Sequence, residues 1–188
     1  DFGGVLVADR YAAYNGANAK ARQSCLGHLI TKAKEITREL LLIEDAARDK
    51  KAEAFCDKIA TFFSEACAVG QELLSGTLQW NQASLIEKQF VSDLKKLCAC
   101  KLSYNPAETL RASLIGKDQK HLFTFLRHPG VQPTNNQAEQ SIRFLVIFRK
   151  IMFGTRSESG LRTHSILPSL LLTAMRQGRH PREFLQTL

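Results

Sequence analysis

Apolar positions along this chain follow two rhythms, and the change between them comes early. Val5-Leu6-Val7-Ala8 is a continuous apolar run after Gly3-Gly4, the pattern of a strand buried on both faces of a helix-covered sheet. It ends at Asp9, and in such sheets functional groups collect at the carboxyl ends of strands. Tyr11 to Asn18 turns away, and Gln23-Ser24-Cys25-Leu26 predicts a second short strand. From Leu29 the spacing turns helical. Leu29, Ala33, Ile36, Leu40 and Ile43 draw one stripe, and Ala52, Phe55, Ile59, Phe62, Ala66, Val69 and Leu73 draw a second that stops near Gly76.

Two start signals come next. Ser84-x-x-Glu87 reads as a capping box opening a helix with Ile86, Phe90, Leu94 and Leu97 on one face. Asn105-Pro106-Ala107-Glu108 places proline at a first helical position, and His128-Pro129-Gly130 closes that region. Past Pro133, Thr134-Asn135-Asn136 supplies cap residue types for a helix whose first turn holds Glu139. Glu139, Arg143, Val146 and Lys150 share one face of it, while Ile142 and Leu145 point inward. Gly154 to Gly160 reads as a turn, Leu161 to Gln177 as a buried helix kinked at Pro168, and Pro181 as the start of a short last helix after Gly178.

Composition fits an ordinary globular protein, with 44% hydrophobic and 23% charged residues. Apolar runs such as Leu40–Ile43 fall far short of the about 20 residues a membrane span needs. Asp1 to Leu6 has neither a basic segment nor an apolar stretch, so no secretory signal is expected there. Five irregularly spaced cysteines favour reduced thiols over a disulfide framework. Charge changes the picture more. The net charge is +8, and residues 127–188 hold 9 of the 26 basic side chains but 3 of the 18 acidic ones. Eight of those nine are arginine, whose planar fork suits phosphate. A polyanion such as nucleic acid, or simply a solvated basic face, accounts for this bias.

Asp9 and Glu139 are the carboxylates that stand out. Each also has a structural role open to it, Asp9 in a turn and Glu139 at a helix N-terminus or paired with Arg143. Cys25-x-x-His28 is half of a zinc site, but no second pair stands at finger spacing; Cys98, Cys100 and His121 are a remote alternative.

Four blocks, in order, resemble the transposases of the insertion-sequence-66 family. Leu6-Val7-Ala8-Asp9-Arg10-Tyr11-Ala12-Ala13-Tyr14-Asn15 resembles the family's second-aspartate block, and Cys25-Leu26-Gly27-His28-Leu29 its Cys-x-x-His block. Pro133-Thr134-Asn135-Asn136-Gln137-Ala138-Glu139-Gln140-Ser141-Ile142-Arg143 resembles its glutamate block. Phe148-Arg149-Lys150 through Phe153-Gly154-Thr155 and Gly160 resembles the family's next stretch, and His180-Pro181 its C-terminus. Arg10 stands where the family pattern has glycine.

The resemblance implies an α+β, mostly helical chain: a truncated ribonuclease-H-like core of the Asp-Asp-Glu type with a large helical insertion. Residues 1–28 would be a sheet remnant with the second catalytic Asp, 29–130 the insertion, and 131–188 a helical part with the catalytic Glu and a basic DNA-facing surface. It implies DNA transposition by metal-dependent strand cleavage and strand transfer. Asp9 and Glu139 would be catalytic and would hold Mg²⁺ or Mn²⁺, hard cations suited to carboxylate oxygen. Arg143, Arg149, Lys150, Asn135, Asn136 and His28 would contact DNA, Cys25 would pack in the core, and the full-length protein would act as a multimer in the bacterial cytoplasm, near the nucleoid. The first catalytic Asp belongs to an earlier strand. Asp1, roughly 26 Å from Asp9 along an extended segment, does not replace it. The chain is therefore expected to be a fragment, inactive alone. The rival readings are a non-catalytic, arginine-rich DNA-binding or transposase-partner module, and another ribonuclease-H-like nuclease such as a junction resolvase.

Overall fold

Strands β1 (Phe2–Ala8) and β2 (Ala19–Ser24) pair in parallel, with Leu6 opposite Arg22 and Ala8 opposite Ser24. The computed structural model describes residues 2–10, 14, 16–151 and 154–186. Asp1, four residues of the Tyr11–Asn18 turn (Tyr11, Ala12, Ala13 and Asn15) and Phe153 of the fourth block lie outside them. β2 begins and ends earlier than its apolar pattern predicts. Pairing with β1, not hydrophobicity, makes a strand of Ala19–Arg22, and helix α1 (Leu26–Leu41) takes over at Leu26. Val5, Leu6 and Val7 are half-buried, not enclosed on both faces. Among the described residues β1 pairs with β2 alone.

The predicted stripes of the next two helices are buried as expected. α1 turns Leu26, Leu29, Ala33, Ile36 and Leu40 onto α2 (Lys50–Ser75), which offers Phe55, Ile59, Phe62, Phe63, Ala66 and Leu73. Asp49 caps α2 by accepting from the amides of Lys51 and Ala52 at 3.0 and 2.9 Å. Gly76 ends it at φ 78°, a left-handed conformation that glycine adopts without a Cβ clash. The remaining Asp49 oxygen accepts from Ser103 Oγ and the Tyr104 amide, tying the approach to α4 (Asn105–Ile115) onto α2. Four phenylalanines close this core. Phe62 meets Phe63, Phe90 and Phe123 edge-on at 5.3 to 6.2 Å, and Phe90 stacks on Phe123.

Local start signals fared less well than stripes. α3 (Ala83–Leu97) follows directly from a 3-10 turn, Trp80–Gln82, so the Ala83 amide already donates to Trp80 and Ser84 lies inside the helix without capping it. Pro106 occupies the second position of α4, not the first. Glu108, one turn in, receives the Leu102 amide and a two-pronged bond from Arg111, each prong 2.7 Å, while Arg111 Nη1 donates to the Cys98 carbonyl. Two further 3-10 turns, Lys117–His121 and Thr124–Leu126, lead back to the sheet.

The chain divides into two compact units, Asp1–Asn136 and Gln137–Leu188. α5 (Asn136–Ile151) carries Glu139 in its first turn and Arg149 and Lys150 in its last, as its dipole favours. α6 (Glu158–Arg176) starts earlier than predicted because Ser157 caps it, accepting from the Gly160 amide at 3.0 Å, and the helix runs on through Pro168. Arg176 ties α6 to α5 through Ser141 Oγ, and α7 (Pro181–Leu185) follows Gly178 as expected. Burial departs from expectation here. Ile142 is exposed, and so are Leu161, Ile166 and Leu167 of the helix expected to be buried. A stripe predicts a helix; burying it takes a facing surface. No helix among the described residues is long and apolar enough to cross a membrane.

Candidate functional site at the carboxyl edge of the sheet

Both strands run the same way, so their carboxyl ends lie side by side, and there the chain places Asp9 and Cys25. The Cys25 amide donates to the Ala8 carbonyl at 2.8 Å. A third segment, more than a hundred residues on, reaches the same edge. The Pro133 carbonyl accepts from the Leu26 amide at 3.0 Å, and the Asn135 amide donates to Cys25 Sγ at 3.5 Å. Gly27 has Thr134 and the Asn136 side chain as its neighbours.

Gly70 and Gln23, which no motif marked, hold this arrangement. Pro133 is buried and lies so close to Gly70 of α2 that a Cβ there would stand 2.8 Å from Pro133 Cγ. Gln23 is buried in β2, where its carboxamide accepts from the Phe125 amide and donates to the Leu122 carbonyl, both at 2.9 Å. Thr124 Oγ1 adds a 2.6 Å bond to the Arg22 carbonyl. Neither a strand glutamine nor a mid-helix glycine carries a signal in one sequence. The buried bonds they make or permit fix where β2 and the Pro133–Asn136 segment meet.

Of the candidate residues, Asp9 is half-buried at the end of β1, and His28 is exposed in the first turn of α1. Asn136 is exposed, whereas Asn135 turns inward, its Oδ1 buried with no hydrogen-bond partner among the described residues. All four belong to the first unit. Glu139, Arg143, Arg149 and Lys150 belong to the second, where all are exposed on α5. Glu139, Arg143 and Lys150 follow the helical period, so they share a face.

Asp9 also lines an open cleft of about 450 Å³ over the face of the sheet that carries Leu6, Ala8, Arg22 and Ser24. Arg10, Lys117, Asp118, Lys120 and His121 are among the other residues that line it. Lys117 and Lys120 are three apart in a 3-10 turn and so point the same way. Burial, and then Lys120, hold the His121 imidazole below its ordinary range. Burial likewise draws the Arg10 guanidinium down, against the opposing pull of Asp118.

As a donor, Asp9 fits a hard divalent cation, which binds through one or two carboxylates together with substrate phosphate. Among the described residues, no group of three or more His, Cys, Asp or Glu is placed to hold a metal ion. Cys98 is buried at the end of α3, and its thiol is pushed up to about 11 by burial.

A family model described as the IS66 family of transposases matches residues 1–163, from β1 through α5 and into α6. No curated protein and no solved structure matches the chain.

Proposed function

The chain belongs to the IS66 family of transposases, and on that premise we propose that it acts in DNA transposition through metal-dependent cleavage and strand transfer. In this reading β1 and β2 belong to a ribonuclease-H-like core, and the helices between Asp9 and Glu139 are an insertion into it. The observation that supports it most is the meeting of three distant blocks at one sheet edge, recorded by the Cys25–Ala8, Leu26–Pro133 and Asn135–Cys25 bonds. Active residues of open sheets collect at such an edge.

Asp9 and Glu139 are the residues assigned to Mg²⁺ or Mn²⁺, which when bound supplies charge neutralisation at phosphorus and activation of the attacking oxygen. Arg143 and Lys150, on the Glu139 face of α5, and Arg149 grip the DNA backbone, with His28 and Asn136 exposed beside the sheet edge as further contacts. Asn135, whose backbone amide donates to Cys25 Sγ, is the remaining proposed DNA contact. The protein works on transposon ends and target DNA as a multimer in the bacterial cytoplasm.

The test is joining of labelled insertion-sequence ends with Mg²⁺ or Mn²⁺ by the natural full-length protein. Asp9→Asn and Glu139→Gln should each abolish joining and leave DNA binding intact. Replacing Arg143, Arg149 and Lys150 together by alanine should flatten the log–log salt dependence of duplex binding by about 2.7, at about 0.9 per phosphate contact. Joining at the unaltered rate by either acid variant would overturn the catalytic assignment and leave an arginine-rich binding module.

A further inference from the structure

The stripes of the first unit are covered, and one on α5 of the second is open. Phe144, Ile147 and Ile151 recur at intervals of three and four, so they share a face, and they are 62%, 47% and 66% exposed. Over about 10 Å of helix this spacing is that of a coiled-coil seam. The side of α5 that meets α6 lies elsewhere around the helix. There Ser141 Oγ accepts from Arg176, and Leu145 is half-buried.

Cations border the seam on both sides. Arg143 and Lys150, each one residue before a seam position, stand exposed along one border. Arg176, tied to Ser141, brings a third charge to the other. Partner choice in helix pairing is decided at such flanking positions, where opposite charges attract and like charges repel. A second copy would set its own Arg143 and Lys150 against these, from a unit with eight Lys or Arg and three Asp or Glu. A DNA backbone answers the cations but leaves the three apolar side chains in water. An acidic helix with an apolar stripe answers both.

We propose that this face of α5 is a docking surface for an amphipathic helix of a partner protein, apolar along the seam and carrying Asp or Glu on its flanks. Its stripe covers Phe144, Ile147 and Ile151, and its carboxylates reach Arg143, Lys150 and Arg176. Docking occupies two cations that the transposition reading gives to DNA. Resting on that reading, the partner and DNA exclude one another, and the partner is a brake on DNA binding.

The experiment follows, by anisotropy, two labelled helical peptides of about three heptads added to the natural full-length protein. Both have Leu and Ile at the seam; one has Glu on its flanks and the other Lys. The Glu peptide should bind, more weakly as salt rises, and the Lys peptide should not. Ile147→Ser, at an exposed position, should weaken binding about tenfold or more. Arg143→Glu combined with Lys150→Glu should reverse the preference between the peptides. Equal binding of both peptides, binding of neither, or binding unchanged in Ile147→Ser would overturn the proposal. So would attachment to phosphatidylglycerol vesicles in place of the Glu peptide, or a dimer in light scattering that Ile147→Ser dissolves. Excess DNA duplex separates the two readings. Glu-peptide binding that persists in excess duplex keeps the docking surface and removes Arg143 and Lys150 from the proposed DNA contact. Duplex binding lost in the charge-reversed variant, with no Glu-peptide binding by the unaltered protein, does the reverse.

Discussion

The two units of this chain carry similar helical patterns and use them differently. In the first, each stripe finds a facing surface: Phe63, Ile36, Leu40, Ile59 and Leu114 are all fully enclosed. In the second, Ala174 is the buried residue among those described, while Phe144 is 62% and Ile151 66% exposed on α5. Periodicity specifies which face of a helix is apolar. It does not say whether the same chain supplies the surface that covers it. Stability in such a molecule is concentrated in the first unit, while the second carries most of the excess positive charge.

Truncation at matched positions would break this contrast most directly. Phe63→Ala should cost about 3–5 kcal/mol in urea unfolding, because a fully enclosed ring leaves a cavity that the α2–α3 core refills poorly. Phe144→Ala, on an exposed face, should stay within about 0.5 kcal/mol. Equal losses would mean that the Phe144 face of α5 is covered as fully as Phe63. Gly70→Ala tests the link between core and site edge. Its new methyl would press on Pro133, so a loss of about 1–3 kcal/mol is expected. Hydrogen exchange at Leu26, whose amide bonds Pro133, should quicken more than exchange within α2; uniform acceleration would place the strain elsewhere.

Acid should act on the first unit. Arg111, and then the Leu102 amide, hold the Glu108 carboxyl down to about 2 from its ordinary 4.5. A depressed carboxyl stabilises the fold above its unfolded pKa and loses that contribution as pH falls through the folded value. Stability measured by thermal melting should therefore drop from about pH 4.5 towards about 2. Glu108→Gln should lower the plateau and flatten that limb. An unchanged limb would remove Glu108 as its cause. The smallest effect belongs to the α5 triple alanine variant, whose melting point should match the unaltered chain even as its grip on DNA weakens. A lower melting point would mean these side chains stabilise the fold.

Legibility followed the same divide between pattern and partner. The stripes of α1 and α2 could be read because burial repeats every third or fourth residue, so one apolar face predicts both helix and core. The capping box at Ser84 misled because a short 3-10 turn occupied the position a cap would have filled. Motif blocks marked Asp9, Cys25 and Pro133–Asn136 one at a time. Their meeting was implied by resemblance, and in the structure it depends on Gln23, Gly70 and Thr124, residues whose importance lies in buried bonds or close approach. Arg10 was visible as a departure from the family glycine, but its bond to Ser113 Oγ appears only once α4 is folded against the strand end.

The bond between Leu26 and Pro133 also has a consequence in time. It closes a loop of more than a hundred residues, so the Pro133–Asn136 side of this edge is complete only once the helices between have returned the chain to its starting point. Such non-local closure is slow compared with helix formation, and it places assembly of this edge late on the folding route. The entropy of closing a loop rises only with the logarithm of its length, about 0.6 kcal/mol for each doubling. Exposed turns within that span, such as the one at Gly76 and Thr77, could therefore lengthen at little thermodynamic cost. What cannot change is the clasp at its base, where Gln23 holds Leu122 and Phe125 and sets the register in which the far segment arrives.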